Sequence, residues 1–196
     1  MKPIVVASTN AHKIKEIASI MQPYGWEVKS LLDYPNIPDV RETGATFEEN
    51  AILKATTIAK ALNQPVLADD SGIEVDALNG MPGVLSARWA GSQKDDSANL
   101  NLLLSQLTDV PMERRTARYV CVAAYAEPSG LSKISRGDWE GVVALSPTGE
   151  NGFGYDPIFF LPKLQKTVAE LTSDAKDALS HRLLAFTGLA RLLEEN

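Results

Sequence analysis

The stretch Pro65-Val66-Leu67-Ala68-Asp69-Asp70-Ser71-Gly72 decides how this chain is read. A short apolar run feeds directly into two acids, a hydroxyl and a glycine. That pattern predicts a buried strand ending at a polar rim. Alternate side chains of a strand share a face, so Val66, Ala68 and Asp70 point one way and Leu67 and Asp69 the other. The two acids are therefore expected to be inequivalent. Two carboxylates about 4 Å apart repel by roughly 4 kcal/mol at an effective dielectric of about 20. Such a pair is tolerated if the acids diverge, share a proton or face a cation. Taken alone, the dyad also fits a solvated strand end closed by an Asx-turn, so the rest of the chain has to decide.

Just upstream, Thr46 with Glu49 three residues on fits a capping box and starts a helix. Phe47, Ala51, Ala55, Ile58, Ala59 and Leu62 form its apolar stripe, and Asn50 and Lys54 lie four apart on another. Asn63, Gln64 and Pro65 stop it, and the acidic strand follows at once. Glu42 and Thr43 sit in the loop before this helix, in a segment from Leu32 to Ala45 that holds Pro35, Pro38 and Gly44. Glu42, Lys54 and Asp70 can meet if strand and helix pack in the usual way.

At the N-terminus, Ile4 to Ala7 reads as a strand buried on both faces. Ser8, Thr9 and Asn10 are each good helix caps, and Ile14, Ile17, Ala18 and Met21 give the helical spacing. Helix N-termini bind anions through their backbone N–H groups. Lys13 stands in the first turn, where a cation opposes the helix dipole. It is either a solvated lysine or a phosphate ligand. No Gly-Lys dipeptide occurs in the chain, which excludes a Walker-type loop. Trp26 to Leu31 reads as a second strand.

Downstream, Ile73-Glu74-Val75 is extended, Gly80 to Gly83 is a turn, and Asp95 to Leu107 is a leucine-rich structural helix. Thr116 to Ala126 and Leu131 to Trp139 read as a hairpin closed at Pro128-Ser129-Gly130, which Gly141 to Ala144 extends. The run from Pro147 to Pro157 brackets Phe153, Tyr155 and Asp156 with glycines. It is either a loop whose aromatics enter the core or one that lays a ring on a flat ligand. Ile158 to Leu161 returns to a strand. One final helix is expected from Ser173-Asp174 to Glu194, with Leu179, Leu183, Phe186, Ala190 and Leu193 inward and Lys176, Ser180, His181 and Arg182 crowding its start.

The totals fit a soluble globular protein: 44% of the 196 residues are hydrophobic and 22% charged. A net charge of −6 disfavours a nucleic acid polymer or an anionic membrane as partner. The longest apolar run, Val120 to Ala126, is far short of the roughly 20 residues of a membrane span. The single cysteine, Cys121, lies in that run and reads as a buried filler. With no signal peptide visible, a cytoplasmic location is the expectation.

The set is more telling than any member. A basic helix start, a loop acid, a helical lysine, an acid pair, an aromatic glycine loop and a Lys…His-Arg cluster are parts for a purine nucleotide with a triphosphate, whose charge calls for Lys and Mg²⁺. The stretches Val6-Ala7-Ser8-Thr9-Asn10-Ala11-His12-Lys13, Glu42 to Ala51, Ala68 to Gly72, Gly152 to Pro157 and Ser180-His181-Arg182 strongly resemble, in order and spacing, the inosine and xanthosine triphosphate pyrophosphatase family. The resemblance spans nearly the whole chain. His12 departs from it, standing where a small residue is common.

This resemblance implies hydrolysis of dITP, ITP and XTP to monophosphate and pyrophosphate with Mg²⁺. It also implies an elongated two-lobed α/β domain over residues 1–196, with a central mixed β-sheet flanked by helices, an active-site cleft between the lobes, and a homodimer. Carried over residue by residue, Ser8, Thr9, Asn10 and Lys13 hold the phosphates and Lys54 neutralises more of their charge. Glu42 and Asp70 ligate Mg²⁺, and Asp70 takes a proton from the attacking water. Asp69 supports the metal from behind or assists it. Ser71, Gly154 and Tyr155 join the substrate-binding set, Phe153 stacks on the base, and Asp156, Lys176, His181 and Arg182 line the base end. A donor such as Arg182 pairs with the C6 keto oxygen of hypoxanthine or xanthine and is left unpaired by adenine, at a cost of roughly 1–3 kcal/mol. Two rival readings stay open at this point: a pyrophosphatase for modified pyrimidines or methylated bases, and a nucleotide sensor without turnover.

Overall fold

The structure, a computed structural model, describes residues 1–34, 37 and 40–195. The predicted loop prolines Pro35 and Pro38 fall outside these. The strands are β1 (Lys2–Val6), β2 (Trp26–Ser30), β3 (Val66–Val75), β4 (Thr116–Ala126), β5 (Ser132–Val143), β6 (Phe159–Leu161) and β7 (Lys166–Thr167). The helices are α1 (Ala11–Met21), α2 (Phe47–Leu62), α3 (Asp96–Gln106), α4 (Ser173–Asp177) and α5 (His181–Glu194). The strands form one open, mixed sheet in the order β2-β1-β3-β4-β5-β6-β7. β1 runs parallel to both β2 and β3, with Ile4 opposite Val28 and Val6 opposite Leu67. β6 runs antiparallel to β5 and β7. Parallel strands covered on both faces need unbroken apolar runs, which is what Ile4-Val5-Val6 and Val66-Leu67-Ala68 supply.

The chain condenses into two compact units. The first comprises Met1–Asp70, Cys121–Gly137 and His181–Asn196. Its core joins Ile4 and Val6 of β1, Ile17 and Met21 of α1, Leu67, Cys121 and Ala123, and Phe186 and Leu189 of α5. The second comprises Ser71–Val120 and Asp138–Ser180. Its core joins Ile73 and Val75, Leu100 and Leu103 of α3, Tyr119, Tyr155, Ile158 and Phe159. The chain crosses between the units inside β3, β4 and β5 and in the short connection between α4 and α5, so no long linker marks the boundary in the sequence.

Two expectations are corrected. The first concerns β3, which does not end at the acids. It runs through them to Val75, and Asp69 and Asp70 are 2% and 7% exposed. The strand can continue because each carboxylate meets cations inside the protein, as described below. The second concerns the final helix, which is two helices. α4 stops at Ala178, whose N–H closes on Asp174 and Lys176 carbonyls, and α5 restarts at His181, where the chain passes from one compact unit to the other. The buried face of α5 also shifts. His181, Arg182, Ala185, Phe186, Leu189 and Ala190 face inward, while Leu179 is exposed. The ion-paired Arg182 takes an interior place that the apolar pattern assigns to leucine.

Candidate active site

In the first unit, β1 delivers the chain to a turn at Ser8-Thr9-Asn10. The Asn10 carboxamide oxygen caps α1 by accepting the backbone N–H groups of His12 (3.0 Å) and Lys13 (3.2 Å), and the Asn10 N–H donates to Ser8 Oγ (3.2 Å). The cap thus uses two of the N–H groups that a helix start otherwise offers an anion. Lys13 and the hydroxyls of Ser8 and Thr9 stand at the same turn. One turn of helix carries the Lys13 ammonium onto Asp69, with Nζ 2.9 Å from Oδ2.

Asp69 is almost wholly enclosed, with the Arg182 guanidinium also 3.7 Å from Oδ2. Arg182 is in turn paired with Glu16 of α1. Burial pushes the Asp69 carboxyl up, but Lys13, Arg182 and Lys54 outweigh it and hold it well below the usual carboxylate range. Asp69 is therefore a fixed anion that fastens a lysine and an arginine.

Asp70 points the other way, as the strand alternation requires. Its Oδ2 accepts from Asn50 Nδ2 (3.1 Å), and its Oδ1 accepts from Lys54 Nζ (3.1 Å). The same ammonium lies 2.8 Å from Glu42 Oε1. Helix α2 makes this possible. Thr46 caps it through the Glu49 N–H, and the Glu49 carboxylate accepts from Ala45, one residue earlier than a standard capping box. The loop is tied down where the Gly44 N–H donates to Asn50 Oδ1 at 2.7 Å. A side chain at Gly44 would meet Glu49 Cβ at 2.7 Å and Asn50 Oδ1 at 2.8 Å, so only glycine lets the loop pass. Burial, reinforced by Glu42, raises the Asp70 carboxyl above its ordinary value against the pull of Lys54. Burial pulls Lys54 down, but the acids Asp70, Asp69 and Glu42 raise it overall, so it stays charged.

Glu42 and Asp70 thus converge on one cation. All their donor atoms are oxygens, which suits a hard divalent ion, and Lys54 marks the place where positive charge is shared. Among the described residues no group of three or more His, Cys, Asp or Glu is gathered as a complete metal shell. A cation here would draw its remaining ligands from a substrate or water, the habit of Mg²⁺ at phosphate sites.

In the second unit the glycine loop is built around Asp156, which is 2% exposed. Its Oδ2 accepts from Lys176 Nζ (2.5 Å) and from the Phe153 N–H (2.9 Å), while its Oδ1 accepts from the Tyr119 hydroxyl (3.0 Å). Gly152 adopts φ +78°, and a Cβ there would fall 2.0 Å from Asp156 Oδ2, so the loop closes on the carboxylate only with glycine. The Phe153 ring is 40% exposed, and Lys176 Nζ lies 4.4 Å from its centroid. That arrangement is an aromatic platform with a cation over it. Gly154 is fixed by donating to Asp96 (3.0 Å), and Tyr155 turns into the core and donates to the Ser86 carbonyl (2.8 Å). Half-buried Ser71 opens the second half of β3.

The predicted residues therefore fall into two assembled groups. Lys13, Glu42, Lys54, Asp69 and Asp70 come together in the first unit with Arg182, and Phe153, Asp156 and Lys176 in the second. Buried His181 begins α5. Arg182, expected at the base end, has its guanidinium on Glu16 and Asp69. Glu16, Tyr119 and Asp96 escape the sequence reading, which picks out Asn50 beside Lys54 without a role. The role of Asn50 could have been found, since an asparagine one turn before Lys54 and facing the same strand needs a buried partner. Tyr119 could not, because it sits inside an ordinary apolar strand.

Three comparisons bear on what this arrangement is. The model of the Ham1 family matches residues 4–192. A dITP/XTP pyrophosphatase of Geobacillus kaustophilus (strain HTA426) is 51% identical over 195 residues, covering 100% of this chain and 96% of its own length. Among solved structures, the Ham1 protein of Staphylococcus aureus superposes with a TM-score of 0.89 at 47% identity over 99% of both chains. A HAM1 protein from Coxiella burnetii gives 0.91 at 41% identity over 100% of both.

Proposed function

The chain belongs to the Ham1 family, and from that premise we propose that it is a nucleoside triphosphate pyrophosphatase that removes deaminated purine nucleotides from the nucleotide pool. Its substrates are dITP, ITP and XTP, which it converts to the monophosphate and pyrophosphate by attack of water on the α-phosphorus. The homodimer and the cytoplasmic location implied by the resemblance belong to the same proposal. The observation that carries it is the sharing of one lysine ammonium by Glu42 and Asp70, beside a helix start that presents Lys13.

Glu42 and Asp70 would hold Mg²⁺, which when bound neutralises phosphate charge and makes a nearby water more acidic. Ser8, Thr9, Asn10 and Lys13 bind the phosphate tail, and Lys54 offsets charge between the acids and the phosphates. Asp70 orients the attacking water and accepts its proton. Burial, reinforced by Glu42, raises its pKa above the ordinary carboxylate value, which makes it a better proton acceptor than an exposed aspartate. The chemistry is positioning and charge neutralisation, as in other phosphoryl transfers. Phe153, in a loop held by Gly154, Tyr155 and Asp156, stacks on the base. Lys176 reads its edge, Ser71 and His181 complete the substrate-binding set, and Arg182, held on Glu16 and Asp69, steadies the Asp69–Lys13 pair at the phosphate end. A donor aimed at a C6 keto oxygen is unmatched by the adenine amino group, which disfavours ATP by roughly 1–3 kcal/mol per unmade bond.

Incubation with ITP, ATP and dTTP in the presence of Mg²⁺, with the released anion identified, tests this reading. Pyrophosphate from ITP, with little turnover of ATP or dTTP, is the expected result. Orthophosphate from ITP would overturn it.

A further inference from the structure

Asp156 is an enclosed carboxylate whose two oxygens are used differently. Oδ2 receives both the Lys176 ammonium and the Phe153 N–H, and Oδ1 receives the phenol of Tyr119. Tyr119 lies on β4, 7% exposed, with its ring packed against Phe159 at 4.2 Å between centroids and near Trp139 at 6.5 Å. The rest of its side chain is therefore a core residue, and only the hydroxyl reaches the loop.

That hydroxyl has a geometric consequence. A carboxylate with both oxygens open lets an ammonium move between them. The Tyr119 hydroxyl on Oδ1 instead fixes the rotation of the carboxylate, so that Oδ2 is presented to both Lys176 and the Phe153 N–H. That orientation sets the ammonium 4.4 Å above the exposed Phe153 ring. Burial and the Asp156 charge push the phenol's pKa well above its ordinary value, so Tyr119 is a donor across the working pH range.

We propose that Tyr119 is a specificity-determining positioning residue, whose hydroxyl orients Asp156 so that Lys176 is held over Phe153 where the base of the nucleotide is read. This rests on the assignment of the Phe153 loop to the base. Tyr119 touches no reacting atom, so its loss weakens recognition of the base and spares the chemical step.

The test is steady-state kinetics of the Mg²⁺-loaded enzyme on ITP and ATP for Tyr119→Phe, Asp156→Asn, the double variant and Tyr125→Phe. Tyr119→Phe keeps the ring and its packing, so the fold is retained. Its KM for ITP should rise about tenfold with kcat within about twofold, and the ITP-over-ATP ratio of kcat/KM should fall about tenfold, a KM-only change marking lost recognition. In the Asp156→Asn background the hydroxyl has lost its charged acceptor, so adding Tyr119→Phe should change the ratio by less than about twofold, the signature of one coupled unit. Tyr125, on the same strand, donates to Glu127 (2.9 Å) away from the loop, and its phenylalanine variant should behave as wild type. If Asp156→Asn lowers selectivity and Tyr119→Phe does not, or if the two losses add, the role of Tyr119 is overturned. If neither variant alters selectivity, the assignment of this loop to the base fails instead.

Discussion

Asp70 and Asp156 are both buried aspartates and both grip a lysine, one in each compact unit, but their surroundings differ. Asp156 is answered on every side: phenol on one oxygen, ammonium and amide N–H on the other. Asp70 shares its lysine with a second acid, Glu42, and burial with that neighbour raises its pKa. A carboxylate with all its donors supplied fixes geometry. Among the described residues Asp70 accepts only two donors, one on each oxygen, and the rival acid beside it adds negative charge that favours a divalent cation or a proton. The same side chain thus serves recognition in one setting and chemistry in the other.

Exchanging the charge at each aspartate's site should expose that difference. Asp70→Asn should retain the fold and lose at least about a hundredfold in kcat, the usual worth of a general base. The ITP-over-ATP preference should survive in whatever activity remains, and near-normal turnover would remove Asp70 from its role. At the other site, Lys176→Met should raise the KM for ITP about tenfold and spare kcat, since recognition and not chemistry is lost. A kcat collapse there would erase the contrast between the two aspartates.

The smallest effect concerns Asp69, whose carboxyl Lys13 and Arg182 hold below the ordinary range against the cost of burial. A depressed folded-state pKa contributes stability that is present above the unfolded value of about 3.9 and lost as pH falls below it. Asp69→Asn should therefore be less stable than wild type at neutral pH, and thermal melts should bring the two together as pH drops below about 4. A gap that stays constant down to pH 3 would show that Asp69 contributes packing and not charge.

Much of this was legible before any coordinates. The period-2 reading of Val66 to Asp70 separated the two acids correctly, because burial of both faces leaves a strand no freedom of register. The meeting of Glu42, Lys54 and Asp70 followed from a helix that runs straight into a strand. What escaped has a common physical source. The apolar pattern of α5 misplaced its inward face because Arg182, paired with Glu16 and Asp69, is interior despite its charge. Residues 166 positions apart in the chain cannot announce such a pairing. Likewise the strand continues through Asp69 and Asp70 only because distant cations make acids tolerable there. Composition and spacing do not mark where the chain divides into two units, because three of the four crossings fall inside strands and the fourth in the short α4–α5 connection.

The central claim is that the Glu42–Asp70 pair directs water to the α-phosphorus. Hydrolysis of ITP in ¹⁸O-labelled water, with mass analysis of both products, tests it most directly. One labelled oxygen is expected in the nucleoside monophosphate and none in the pyrophosphate. Label in the pyrophosphate would contradict it.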